Sequence, residues 1–231
     1  MLVGCGNKET GDAGIVPLPS PMQLVSNQSI IQPTVRPTIQ PAPTLFVLGP
    51  LVEPDTDLWA APVSVPRELQ IPSLNVDAPI LAVGLTSGNI MDSPKGSIGD
   101  PVWGTAFWYR GGSEPGDIGT ATIAGHVNDP LGQPQIFAHL QDLHSGDLII
   151  VHVKNTRVNI RFTVNQTMVY SLQQSSDPAV LTRIFGSGPV AGTGPVPATD
   201  GLSHLTLITC AGYIVNGEFD HHTVVYATRS N

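Results

Sequence analysis

The chain has 231 residues, a formal net charge of −8 and only 10 Lys plus Arg. With no basic run, nucleic acid is disfavoured as a partner, and no apolar run reaches the ~18 residues a helical membrane span requires. The 24 glycines and 22 prolines against 12% charged residues describe turn-rich all-β structure joined to a proline-rich linker. Cys5 and Cys210, the two cysteines, are too few for a disulfide framework and lack C-x-x-C metal spacing.

In chain order, Leu2-Val3-Gly4-Cys5 resembles the bacterial lipobox, in which the cysteine is lipidated, although neither a basic region nor a full apolar run precedes it here. The expectation is a lipid anchor on Cys5. From Val16 to Pro66 the chain is rich in Pro, Thr, Ser, Gln and Val, and eleven of the prolines fall between Pro17 and Pro66. Proline removes backbone donors and favours extended neighbours, so residues 1–65 are expected to be a spacer and 66–231 the folded domain.

Arg67 to Pro72 and Val76 to Val83 are the first two expected strands, followed by a loop punctuated by Gly84, Gly88, Pro94, Gly96, Gly99 and Pro101. Phe107-Trp108-Tyr109 is expected at the core edge, Gly111 to Gly116 as a turn, and Thr120 to His126 as a strand ending in histidine. Ile136, Phe137, Leu140 and Leu143 have the spacing of a short amphipathic helix. Leu148–Val153 and Val158–Tyr170 predict a hairpin, and Asp177 with Pro178 predicts a capped helix through Phe185. Gly186 to Pro197 is expected to be a mobile loop. His204 to Cys210 alternates β-branched and apolar residues as a strand, with Ala211-Gly212 as its breaker, and Thr223 to Ala227 closes the chain as another.

Free cysteine is most often a small buried hydrophobe. A thiol at a strand end, however, is rigidly mounted and can project into a cleft, and a nucleophilic cysteine needs a base and an oxyanion donor. His126 also ends a strand, and a closed sheet can bring distant strands side by side. Among seven histidines, spacing alone does not single it out.

Thr206-Leu207-Ile208-Thr209-Cys210 matches the TLxTC signature of sortases, the cysteine transpeptidases of bacterial cell surfaces, and Thr122 to His126 resembles the segment carrying that family's histidine. The resemblance runs from about Leu69 to Ala227, and the Trp108–His126 segment is most similar to the class lettered F. It implies a closed β-barrel of about eight strands with short loop helices. Cys210 would attack the Thr–Gly bond of an LPxTG-like sorting signal to give a thioester, and His126 would protonate the leaving amine. A cell-wall or pilin amine, or water, would then resolve the intermediate. Thr209 is expected at the substrate. No cofactor or metal is implied, and the protein is expected as a monomer outside the cytoplasm, on the lipid anchor at Cys5.

The family's arginine near the last strand is missing: that position falls on Asp220 or His222. Protonated His222, or His221, is the expected substitute donor, with Arg229 and Arg110 more remote. The missing arginine leaves a catalytically weak or inactive sortase-like binding module as the alternative. L,D-transpeptidases are disfavoured, because Ile-Thr precedes Cys210 instead of a Ser-His-Gly-Cys-type motif. A metal site of Cys210, His126, His221 and His222 is disfavoured because adjacent residues on a strand face opposite ways.

Overall fold

A computed structural model describes residues 66–88, 90–153, 159–186 and 198–230. The expectations for Cys5, for the 1–65 spacer and for loop residues 187–197 lie outside the described residues. Eight strands form a closed barrel: β1 (Pro66–Ile71), β2 (Val76–Val83), β3 (Ala106–Tyr109), β4 (Gly119–Gly125), β5 (Leu148–Val153), β6 (Asn159–Ser171), β7 (Ser203–Val215) and β8 (Glu218–Arg229). The order around the barrel is β1-β2-β3-β4-β7-β8-β6-β5, closed by the antiparallel β1–β5 pair. Closure leaves no exposed edge along the wall.

Alternation of side chains sorts each strand into an inner and an outer set. Leu205 and Leu207 of β7 join Ile123 of β4, Phe162 of β6 and Val225 of β8 in the inner cluster, which draws on strands all round the barrel. Ile208, Ala124, Val224 and Tyr226 face outward, yet are buried with Ile184 and Phe185 of α2 (Pro178–Phe185). β3 has both faces covered, Trp108 inward and Phe107 and Tyr109 outward. It is therefore part of the core rather than its edge, which is why its sequence is apolar without alternation.

Asp177 caps α2 by accepting from the Ala179 N–H at 2.8 Å, and Pro178 opens the helix as expected. A one-turn helix, α1 (Leu172–Ser175), precedes it with a capping box between Ser171 and Gln174.

Two further expectations are corrected. Residues 134–143 do not form an α-helix: Pro134 bridges to Asn128, and only Leu140–Asp142 winds, as a single 3₁₀ turn. The apolar spacing there arises because Phe137, Leu140 and Leu143 plug the barrel interior from a loop. β7 also does not stop at Cys210. It continues to Val215, with a register shift between Ala211 and Ile214, and turns through Asn216-Gly217 into β8. Gly212 has φ +82°, and a Cβ there would lie 2.0 Å from Asp220 Oδ1, so what reads as a breaker is a bulge.

Candidate active site

β4 and β7 run parallel, pairing Gly119 with Ser203 through to Ala124 with Ile208. His126 and Cys210 lie two residues beyond the last of these pairs, at the same end of the two strands. The Thr209 hydroxyl holds that end together, donating to the Gly125 carbonyl at 2.8 Å. Gly125 is a necessary neighbour for His126, since a Cβ there would lie 2.5 Å from the Phe137 ring.

Cys210 and His126 line one cavity of about 160 Å³, with Lys95, Trp103, Asp129, Ile214 and Phe219 among its walls. A second cavity, about 210 Å³, meets Cys210 from the side of Phe137, Thr209, Gly212 and Thr223. The larger cavity, about 380 Å³, surrounds Thr120, His204 and Thr228 at the opposite ends of the same strands and includes neither residue. Volume is therefore a poor guide here, and the chemistry marks the smaller pair. The nucleophilic chemistry of Cys210 belongs to its reduced, thiolate form.

His126 is tightly framed. Its Nε2–H donates to the Pro94 carbonyl at 2.9 Å, Trp103 leans over it at 4.7 Å between ring centroids, and Phe107 meets it edge-on at 5.3 Å. The Pro94 bond fixes the tautomer and leaves Nδ1 as the basic nitrogen of the neutral ring. Burial pulls the His126 pKa below the usual imidazole value; the Pro94 bond opposes this and the Lys95 charge adds to it.

His222 pairs directly with Cys210 across β7 and β8, on the same face of the sheet. It is buried, and its Nδ1 lies 3.1 Å from Ser175 Oγ. That hydroxyl has one proton, directed at the Ser171 and Leu172 carbonyls at 2.8 and 3.2 Å. It therefore accepts from His222 Nδ1–H, and His222 can donate from Nε2 only after gaining a second proton. His222 lines neither cavity at Cys210. His221 instead meets Asp220, at 2.7 Å, and Asp220 also accepts from the Tyr213 N–H at 2.8 Å, bracing the bulge. Arg229 is spent at 2.7 Å on the Gly116 carbonyl, and neither it nor Arg110 lines these cavities. Among the described residues no group of three or more His, Cys, Asp or Glu is placed to hold a metal ion.

The brace made by Thr209 is testable. Thr209→Val should cost about 1–2 kcal/mol, by leaving the buried Gly125 carbonyl unpaired, or roughly 2–4 °C of melting temperature per kcal/mol, with KM unchanged. A raised KM at unaltered melting temperature would instead make Thr209 a substrate contact.

The structure brings Cys210, His126, Thr209 and His222 to one end of the barrel; sequence reasoning had only Cys210 and His126 meeting, and missed Lys95, Trp103 and the Pro94 carbonyl. Only the Pro94-Lys95-Gly96 punctuation hinted at a fixed loop there.

The sortase-domain family model matches residues 69–230. Similar solved structures include sortase C-1 from Actinomyces oris (22% identity, 71% of this chain and 73% of that one, TM-score 0.47). Another is a lid mutant of sortase A from Corynebacterium diphtheriae (21% identity, 74% and 73%, TM-score 0.48). A third is a pilus-related sortase C of Group B Streptococcus (21% identity, 74% and 70%, TM-score 0.47). No curated protein matches the chain.

Proposed function

Because the chain belongs to the sortase family of cysteine transpeptidases, we propose that it cleaves an LPxTG-like sorting signal between Thr and Gly and passes the acyl group to an amine. The observation that carries this reading is the cavity that His126 and Cys210 line together, beside the Thr209–Gly125 tie between β7 and β4.

The Cys210 thiolate attacks the threonine carbonyl carbon, forming an S–C bond and moving the π pair onto oxygen. Collapse expels the glycine nitrogen, which takes its proton from the His126 imidazolium. The neutral ring then accepts a proton from the incoming amine of a cell-wall or pilin acceptor, or from water, as the second attack releases the sulfur. Thr209 serves this step by fixing the strand ends.

Sortases act outside the cytoplasm, at the bacterial cell surface. Anchoring through a lipid on Cys5, with residues 1–65 as a spacer to the barrel, is the arrangement we propose for this chain. The Trp108–His126 segment supports placing it in class F. Among the described residues, no helix is long and apolar enough to cross a membrane.

The test is intact mass of the reduced protein after incubation with LPxTG-type peptides. An adduct equal to the peptide through threonine, discharged by an added amine, is the expected result. A protein that holds the peptide with no adduct is the binding module that the missing arginine would favour.

A further inference from the structure

A cysteine acyltransferase needs a donor at the oxygen that becomes an oxyanion. No arginine among the described residues lines either cavity at Cys210. His222 spends Nδ1–H on Ser175 and must gain a second proton before it can donate from Nε2. Lys95 is the cationic side chain lining the cavity that Cys210 and His126 share.

Its backbone is pinned on both sides. The preceding carbonyl, Pro94, accepts from His126, and two residues on, the Ser97 carbonyl accepts from Trp103 Nε1 at 2.9 Å. Gly96 lies so close to Asp100 that a Cβ would fall 2.4 Å from the carboxyl carbon. This loop therefore fixes the Lys95 backbone beside the shared cavity. Burial lowers the Lys95 pKa and the Glu218 carboxylate opposes this, holding charge on the ammonium; the Lys95 charge in turn adds to burial in lowering the pKa of His126. Asp129 is the acidic residue lining the cavity.

We propose that Lys95 donates to the carbonyl oxygen under attack by Cys210, supplying the positive charge that the family's arginine provides elsewhere. The inference rests on the acyl-transfer reading above, but not on the identity of the peptide. Lys95 gives up no proton: its N–H groups stabilise the oxygen while the S–C bond forms and the C–N or C–O bond breaks.

Two reagents separate this role from a general effect on the thiol. p-Nitrophenyl acetate acylates Cys210 through an oxyanion, whereas iodoacetamide alkylates the same sulfur by direct displacement and forms none. In the reduced full-length protein, Lys95→Met should slow acetylation about 100-fold and leave alkylation within about threefold. Lys95→Arg should recover at least tenfold of the loss. His222→Gln serves as the comparison and should leave the ratio of the two rates unchanged.

If Lys95→Met lowers both rates in parallel or neither, or if His222→Gln alone lowers the ratio, the proposal is overturned. A wild-type protein that is acetylated normally yet ignores LPxTG-type peptides would reject the substrate assignment while leaving the Lys95 result standing.

Discussion

Cys210→Ala is expected to abolish the thioester adduct and to lower peptide cleavage by at least ~10³-fold, because the carbon–sulfur bond is the only covalent link in the reaction. The substitution trims one sulfur from a largely buried position on β7, so the barrel should melt within a few degrees of the parent. Peptide binding should persist, since Trp103, Ile214 and Phe219 of the cavity wall are untouched. Isothermal titration beside the mass measurement checks both halves. Retained turnover in Cys210→Ala would remove the sulfur from the mechanism.

His126→Gln should cost about 10²–10⁴-fold in peptide turnover, the range for removing a general acid–base group. The defect should persist at high pH. Hydroxide can generate the thiolate without the ring, so alkylation of Cys210 recovers there, but the leaving amine still lacks its acid. The wild-type imidazole should titrate below 6.5 by NMR and move up in Lys95→Met. Burial is the main cause of its lowered value, and the ammonium is an added one.

The same shift sets a stability trend. The unfolded imidazole takes up its proton at higher pH than the folded one, so the unfolded chain binds more protons in the interval between the two values. The contribution from His126 is therefore complete above about 6.5 and declines as pH falls toward the folded value. Denaturant midpoints at pH 7.5 and pH 5 should differ less in His126→Gln than in the parent.

How much of this was legible depended on whether the physics was local. Thr206 to Cys210 declared itself a strand because β-branched residues and alternation are local properties, and Asp177-Pro178 announced a helix start for the same reason. Pro134–Leu143 misled, because Phe137, Leu140 and Leu143 share a spacing with helical faces but acquire their burial from strands elsewhere in the chain. Gly212 misled in the other direction: a glycine at positive φ can continue a strand through a bulge as readily as end it, and the Asn216-Gly217 pair was the better sign of where β7 turned. Lys95 could not be found by inspection. Its relevance comes from a loop bonded to His126, 31 positions further along.

The parallel pairing of β4 with β7 has a consequence for the chain's life before it is native. Parallel neighbours need a long crossover, and here the Thr209–Gly125 tie joins residues 84 positions apart. Contacts of that sequence separation form late, after the entropy of a large loop has been surrendered. A nascent polypeptide, or one still threading through a translocation pore, thus carries its sulfur and imidazole as unrelated groups. Reactivity is withheld until the last two strands have zipped in.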